Sequence, residues 1–384
     1  MQVTPPLKYL AAAAMFLLLA ACSSKDDKEQ PAELVKFPQE VTIKRLWSQG
    51  VGGAHNKYLT GMRPVLRNGV IYAASGKGRV SAFNSETGKR LWKAKVVKGL
   101  SGGVGFGGSQ VYVGDIEGRL YALSASDGIQ QWQVSLRSEV LSAASGDRER
   151  VAVQTKDGLI YMLSAESGEE LWQYKTQTPP LTNYGTSSPL LIGDLVIVGT
   201  ADGQVVALNA ETGSRLWENR ISNPRGRTEL EKLSDVDGEI AVDGQVLYAT
   251  SYQGTTVALS RSRGSQLGSQ KSSSYHGPAV SGSRVFVVEE GDYVRALRGT
   301  AMQPLWENDQ LKLRGLNAPA VVAGYVAVAD AEGYLHLLDS GDGHFVGRKK
   351  VDGSGVRVPM IGDGDRLYIQ DHGGGLSCYQ VTPK

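Results

Sequence analysis

The chain has 384 residues, among them 48 Gly, 16 Tyr and only 6 Phe, and its formal net charge is +2. A chain of this length that is rich in turn-forming Gly is long enough for one large β domain. Nucleic-acid binding requires a basic face with interleaved aromatic side chains, and the nearly neutral charge gives no support for one. We therefore expect no nucleic acid among its partners.

Residues 1–21 are predicted to be a targeting signal that lies outside the folded domain. Lys8 is the only charge before the apolar run Tyr9–Ala21, which is shorter than the roughly 20 residues of a membrane-spanning helix. The run ends in LAAC, at Cys22, and resembles the lipobox of bacterial lipoproteins, in which cleavage precedes the cysteine and its thiol is acylated. The alternative is an ordinary signal peptide with an incidental cysteine. Ser23 follows, and the resemblance then implies sorting to the outer membrane, with the chain facing the periplasm.

Residues 22–40 are predicted to be a lipidated, flexible tether. The segment SSKDDKEQPAELVKFPQE is polar, charged and interrupted by proline, a composition typical of disorder. Roughly 20 such residues span about 25 Å as a coil. If Cys22 carries lipid, Cys378 is the only free thiol of the mature chain, so no intramolecular disulfide is expected.

Residues 41–384 contain repeated copies of one sequence pattern. In ADGQVVALNAETGSRLW, Ala201 to Trp217, an apolar run, a turn through Thr212-Gly213 and a second run predict two strands joined by a tight turn. The same pattern ends at other tryptophans, and Gly268 and Gly347 take the tryptophan position in two weaker copies. These marks lie at positions 47, 92, 132, 172, 217, 268, 306 and 347.

A period of 40 to 45 residues with short strands is typical of propeller blades, so we predict an all-β, eight-bladed β-propeller. The first mark, Trp47, has no Ala-Leu strand before it, whereas the last segment, GDRLYIQDHGGGLSCYQ, has that strand and no tryptophan strand after it. We therefore expect the N-terminal strand to pair with the C-terminal strand and close the ring without a free edge.

The repeat Ala-x-(Asn/Ser/Asp)-x-x-Thr/Ser-Gly-x-x-x-Trp, at Ala82–Trp92 and Ala207–Trp217, resembles the tryptophan-docking motif of quinoprotein propellers. A lipoprotein built wholly of such blades resembles the BamB family of the outer-membrane β-barrel assembly machinery, and Glu231–Val242 and Asp330–Gly355 are close to that family's pattern. The resemblance implies a non-catalytic scaffold that binds the periplasmic POTRA domains of BamA and other lipoproteins of the complex indirectly. Nascent outer-membrane proteins are a further candidate partner.

The alternative function is that of a periplasmic quinone-dependent dehydrogenase or a sugar-acting propeller enzyme. Such quinoproteins carry long insertions, and many carry adjacent cysteines, neither of which this chain has. GVGFGG, Gly103–Gly108, fits a dinucleotide motif but stands where an inner strand belongs. The five histidines show no metal-ligand spacing such as His-x-His or Glu-x-x-His. We therefore predict no catalytic residue, no cofactor and no metal.

Three connections between blades are enlarged, after Trp47, Trp172 and Trp217. The second and third belong to successive blades, so residues 173–187 and 218–240 are expected to be neighbours. Their composition suits protein recognition, the alternative being variable solvated loops. The predicted partner-binding residues are Leu181, Tyr184, Leu233, Asp235 and Asp237.

The resemblance to the BamB family implies that these loops bind a POTRA domain of BamA. LSDVD, Leu233–Asp237, matches the family pattern residue by residue. The first loop departs from it, because Leu181-Thr182-Asn183-Tyr184 stands where family members can carry Leu-x-Leu-Arg.

Overall fold

In a computed structural model of the chain, residues 30–53, 62–182, 185–223, 227–228 and 230–384 are described. Ala32–Lys384 form one compact unit. Among the described residues there are strands and two short 3-10 helices, Leu230–Lys232 and Gly299–Ala301. None of the helices found in these ranges is long and apolar enough to cross a membrane.

The strands form eight four-stranded antiparallel blades, which we number in ring order. Blade 1 combines β1 (Val41–Gly50) with the last three strands of the chain. Blades 2 to 4 follow: β2 (Val65–Arg67), β3 (Val70–Ala74), β4 (Arg79–Asn84), β5 (Arg90–Lys95); β6 (Leu100–Gly107), β7 (Gln110–Asp115), β8 (Arg119–Ser124), β9 (Gln130–Ser135); β10 (Ser145–Gly146), β11 (Arg150–Gln154), β12 (Leu159–Ser164), β13 (Glu170–Lys175).

Blades 5 to 8 repeat this order of inner strand, two middle strands and outer strand. They are β14 (Leu190–Ile192), β15 (Leu195–Gly199), β16 (Gln204–Asn209), β17 (Arg215–Arg220); β18 (Ala241–Asp243), β19 (Val246–Thr250), β20 (Gly254–Ser260), β21 (Gln266–Ser272); β22 (Ala279–Ser281), β23 (Arg284–Glu289), β24 (Tyr293–Arg298), β25 (Gln303–Asn308); and β26 (Ala320–Val322), β27 (Tyr325–Ala329), β28 (Tyr334–Leu338), β29 (Phe345–Lys350). Blade 1 ends with β30 (Ile361–Asp363), β31 (Arg366–Gln370) and β32 (Gly375–Pro383).

The predicted closure of the ring is confirmed. β1 pairs antiparallel with β32, from Val41 opposite Pro383 to Gly50 opposite Gly375. The two ends of the chain therefore complete one blade, and the eight-bladed, all-β prediction holds.

Blades 3 and 4 are also joined at their inner strands, because Ser145 of β10 pairs in parallel with Phe106 of β6. This close approach explains the glycines of GVGFGG, since a Cβ at Gly107 would overlap the backbone of Gly146. The motif forms part of β6, as expected for an inner strand.

Apolar packing runs between blades. The described residues form eight buried clusters, each made chiefly from two successive blades: Val41, Leu337 and Val381 join blades 8 and 1, and Trp47, Ile71 and Tyr368 join blades 1 and 2. This arrangement follows from the β alternation, because both faces of each blade meet a neighbour. Every blade depends on the next for its core.

The tryptophans fasten successive blades. Trp172 Nε1 donates to Ala210 O of the next blade at 3.0 Å. Its ring lies on Gly213, whose φ is +70° and whose added Cβ would meet the indole at 2.7 Å. Glycine is required there for two reasons, the left-handed backbone and the contact with the ring. The same indole-to-carbonyl bond recurs at Trp47, Trp92, Trp132, Trp217 and Trp306.

The two copies without tryptophan are filled differently. A Cβ at Gly268 would overlap the carbonyl of Thr300, so the short helix Gly299–Ala301 of blade 7 occupies that place. At Gly347 the nearest side chain is that of Val41. The strand β1 thus covers the last copy.

The predicted flexible tether differs from the structure over residues 32–40, which we call the N-terminal strap. Phe37 stacks on Phe345 with ring centroids 5.3 Å apart, and the Arg348 guanidinium lies 4.9 Å from both rings. Arg348 Nη1 also donates to Val35 O at 2.6 Å. The strap was wrongly assigned to the flexible segment, because its composition is mostly polar and the anchoring role of Phe37 could not be read from the sequence. The signal peptide and Cys22 lie outside the described residues and stay predictions.

Candidate partner-binding face and channel mouth

The connections from each outer strand to the next inner strand lie on one face of the ring, which we call the loop face. Two of the long ones are described for most of their length: connection A, residues 176–189 between β13 and β14, and connection B, residues 221–240 between β17 and β18. A Cβ at Gly185 of connection A would lie 3.1 Å from Asp237 Oδ2 of connection B. The predicted adjacency of the two loops is confirmed.

The last part of connection B, residues 233–240, does not stand out from the ring as a solvated loop. Val236 N donates to Thr200 O of blade 5 at 3.1 Å, and Tyr252 N of blade 6 donates to Asp235 O at 3.0 Å. Val236 is fully buried among the side chains that join blades 5 and 6. The end of connection B is therefore wedged between two blades and forms part of their packing.

This placement corrects the expected exposure of two predicted site residues. Leu233 is 7% exposed and Asp235 is 1% exposed, so neither offers its side chain at the surface. Asp237 is half-buried. A loop longer than its siblings was assumed to project, whereas the extra residues fold back into the gap between the blades.

Connection A fits the prediction better where it is described. Leu181 is 43% exposed. Tyr184 and its neighbour Asn183 lie outside the described residues. Among the predicted partner-binding residues that the structure describes, Leu181 is the one with an exposed apolar side chain on the loop face.

Two exposed residues of this face were not predicted from the sequence. Leu230 is 64% exposed and Tyr275 is 47% exposed. Leu230 begins the 3-10 helix that Thr228 and Glu231 cap: Thr228 N donates to Glu231 Oε2 at 3.2 Å, and Glu231 N donates to Thr228 Oγ1 at 3.3 Å. The T-x-x-E capping box was the available signal for this turn. Tyr275 had no comparable signal.

The Asp237 carboxyl is electrostatically unusual. Burial raises its pKa to about 8, and the nearby Asp235 carboxyl adds to the shift. Removal of water disfavours the charged form, and a like charge disfavours it further. Near neutral pH the Asp237 carboxyl therefore favours its neutral form over presenting a charge to a partner.

A cavity of about 390 Å³ opens at the centre of the loop face. Arg63, just before β2, and Glu239, just before β18, form an ion pair there. Blades 2 and 6 are opposite each other in a ring of eight, so this pair crosses the channel mouth. Four prolines that stand shortly before inner strands line the cavity: Pro64, Pro278, Pro319 and Pro359.

His276 also lines this cavity. Burial lowers the pKa of its imidazole to about 4, so the ring is neutral at physiological pH. An imidazole whose pKa lies this far below the operating pH is a weak general base.

One group of described residues brings side chains that could bind a metal ion close together. Asp339, Asp342 and His344 bring their ligand atoms within 4.8 Å of one another at the β28–β29 turn. His344 Nδ1 lies 2.6 Å from Asp342 Oδ1, and its Nε2 lies 3.1 Å from Glu40 Oε1. Both ring nitrogens face carboxylates, and the pKa of His344 is raised. The arrangement is that of an exposed ion-pair cluster.

Together these features define a class: an eight-bladed, tryptophan-docked propeller whose irregularity is concentrated on one loop face. A family model described as outer membrane protein assembly factor BamB matches residues 39–99 and 76–303. The chain belongs to the BamB family.

Relatives and solved structures agree with this placement. The BamB of Pseudomonas aeruginosa is 47% identical over 97% of this chain and 99% of its own, and the BamB of Escherichia coli is 32% identical over 95% and 96%. The crystal structure of BamB from Moraxella catarrhalis has a TM-score of 0.81 at 30% identity, covering 88% of this chain and 100% of its own. A quinohemoprotein alcohol dehydrogenase from Comamonas testosteroni, 13% identical with a TM-score of 0.67 over 89% and 76%, shares the fold alone.

Proposed function

We propose that this chain is an assembly factor for outer-membrane proteins and acts as a scaffold without catalysis. Its family membership and its similarity to the Pseudomonas BamB over nearly the whole length support this function. The chain associates with the outer membrane through acyl chains on Cys22, and the propeller faces the periplasm. Its partner is the periplasmic POTRA region of BamA.

The loop face is the proposed partner surface. The observation that carries this assignment is the exposure of Leu181, Leu230 and Tyr275 on connections of that face, because apolar and aromatic anchors dominate the energetics of protein interfaces. Tyr184 is proposed as a further contact of connection A. Leu233, Asp235 and Asp237 contribute from below, by holding connection B in its place between the blades.

A binding titration tests the partner surface. Leu181→Ala together with Leu230→Ala should weaken binding to the BamA periplasmic region by about 2 kcal/mol or more, the range of interface hot spots. Leu91→Ala is the matched control, since Leu91 is 50% exposed but lies on the outer strand β5. Wild-type affinity in the double variant, or equal weakening by the control, would place the partner elsewhere on the ring.

Membrane attachment is tested separately with Cys22→Ala. Removal of the acyl chains removes the main apolar attachment, so the variant should be folded and released from the membrane fraction. Metabolic labelling with a fatty acid provides the direct measurement. Label that persists in the variant would contradict lipidation at Cys22.

A further inference from the structure

The N-terminal strap crosses the rim at blade 8 from one face of the ring to the other. It begins at the connection between β25 and β26, where Ala32 N donates to Lys312 O and Arg314 Nη1 donates to Ala32 O, both at 2.9 Å. This connection runs from an outer strand to an inner strand and therefore belongs to the loop face. The strap ends beside β29, where Glu40 N donates to Val346 O at 2.8 Å.

The far end of the strap lies on the opposite face. Glu40 Oε1 lies 3.1 Å from Nε2 of His344, which belongs to the turn between β28 and β29, at the start of an outer strand. β1 also begins on that face, at Val41, because its other end, Gly50, leads into the connection to β2. Without the strap, the chain would thus enter the propeller on the face opposite the loop face.

Two arginines bind the strap through its backbone. Arg314 binds the carbonyl of Ala32, and Arg348 Nη1 donates to Val35 O at 2.6 Å. The ring of Phe37 adds an apolar contact between these points and the end of the strap. The strap is therefore attached along its length.

A buried pair holds both guanidinium groups in position from below. Asp330 and His336 are both 0% exposed. Asp330 Oδ2 accepts from Arg314 Nε at 2.8 Å and lies 3.1 Å from His336 Nε2. Arg348 Nε donates to His336 Nδ1 at 2.9 Å. Neither arginine can turn away from the strap without leaving a buried polar group unpaired, which is unfavourable.

The attachment point decides how far the ring can lie from a lipid on Cys22. The segment from Cys22 to Ala32 reaches at most about 35 Å whatever its conformation, and the strap spans up to about 30 Å. With a bilayer against the opposite face, the segment would have to pass along the whole rim and would use most of its reach. With a bilayer against the loop face it would be slack. Stretching a chain costs conformational entropy, so the second arrangement is favoured.

We propose that the strap turns the loop face towards a lipid bilayer, beginning with its edge at blades 7 and 8. This inference rests on the proposed lipid at Cys22. The exposed Leu181 and Leu230 lie on the same face, so the proposed partner surface and the membrane attachment share one side of the ring. A ring entered directly at Val41 would instead be held from the other face, on a segment that reaches up to about 65 Å.

Paramagnetic relaxation of methyl groups measures which face lies nearer the bilayer. The chain from Cys22 to Lys384 is coupled through the Cys22 thiol to a maleimide lipid in a phosphatidylcholine nanodisc that also contains a gadolinium lipid. Cys378 is buried and does not compete. Blade 8 offers a matched pair: Ala331 in the β27–β28 turn on the loop face and Ala323 in the β26–β27 turn on the opposite face. We expect a relaxation enhancement several times larger at Ala331, because the effect falls steeply with distance.

Variants of the strap test its role. Phe37→Ala combined with Arg348→Met removes the ring stack and the bond to Val35 O, so the strap should detach and the enhancements at the two alanines should become similar or reverse. Phe37→Ala alone leaves the buried pair untouched and should give a smaller change in the same direction. Lys36→Ala is the control, because Lys36 is exposed on the strap, and it should keep the wild-type ratio. A cooperative melting transition shows that each variant is folded.

A wild-type enhancement that is equal at Ala331 and Ala323, or larger at Ala323, would overturn the proposal. An unchanged ratio in the double variant would overturn it as well, since the strap would then not set the orientation. Coupling through maleimide does not depend on acylation in the cell. Failure of fatty-acid labelling at Cys22 would therefore contradict the proposed attachment, whereas the ratio in the nanodisc tests the strap alone.

Discussion

The outer rim and the loop face are built on opposite plans. At the rim, the contact of Trp172 with Ala210 and Gly213 of the next blade is repeated around the ring with little change. On the loop face, the ion pair of Arg63 with Glu239 occurs at one place among the described residues. The difference shows that the repeated contacts determine the fold, whereas the contacts that are not repeated make the loop face specific.

The largest effect is expected at the rim. Trp172→Ala should destabilise the chain by about 3 kcal/mol, the lower end for large-to-small changes because the ring is only partly buried. The change removes both the packing on Gly213 and the bond to Ala210 O. Chemical denaturation measures this change. A decrease in the free energy of unfolding of less than about 1 kcal/mol would mean that the blades do not depend on their tryptophan contacts.

Two leucines three residues apart, Leu230 and Leu233, test whether all of connection B is as tolerant of substitution as an exposed loop. Leu233→Ala should cost about 2 to 4 kcal/mol, since Leu233 is 7% exposed, whereas Leu230→Ala should cost little, since Leu230 is 64% exposed. Both variants are compared by the midpoint of thermal unfolding. Similar shifts in the two would show that connection B is not wedged between the blades.

The smallest expected effect depends on pH. His276 has its pKa lowered to about 4 from 6.5, so the unfolded chain binds a proton that the folded chain refuses. Stability is therefore fully present above about pH 6.5 and falls as the pH drops towards 4. His276→Gln should reduce this acid-side loss by on the order of 1 kcal/mol, because one pKa unit corresponds to about 1.4 kcal/mol and the ring keeps partial contact with solvent.

Unfolding of the two chains at pH 7.5 and pH 5 measures the effect. His344→Gln is the control, since the pKa of His344 is raised and its contribution has the opposite sign. An unchanged difference between the two pH values in the His276 variant would assign the acid-side loss to other groups.

The fold could be predicted from sequence because its determinants are local and repeated. The Trp172 position, its Gly213 partner and the strands between them recur at a fixed period, so each copy supports the others. Loop lengths located the loop face for the same reason. The adjacency of connections A and B followed from blade order alone.

The details of the candidate site could not be predicted, because they depend on contacts between distant segments. Nothing near Leu233 or Asp235 in the sequence shows that Thr200 and Tyr252 bond to the same stretch of backbone. The strap was missed for the same reason, since Phe37 is anchored by Arg348. Tyr275 becomes conspicuous only when its exposed fraction is known.

The pairing of β1 with β32 has a consequence for how the chain reaches this shape. Val41 and Pro383 are partners in one ladder, so a contact between segments far apart in the sequence is the one that completes the ring. Contacts of large separation form slowly because loop-closure entropy opposes them. During synthesis and export, blades 2 to 8 have all their strands before the final residues emerge, while β1 must wait. Ring closure is therefore the natural last step of folding, and loss of the C-terminal strand should leave an open ring with two exposed edges.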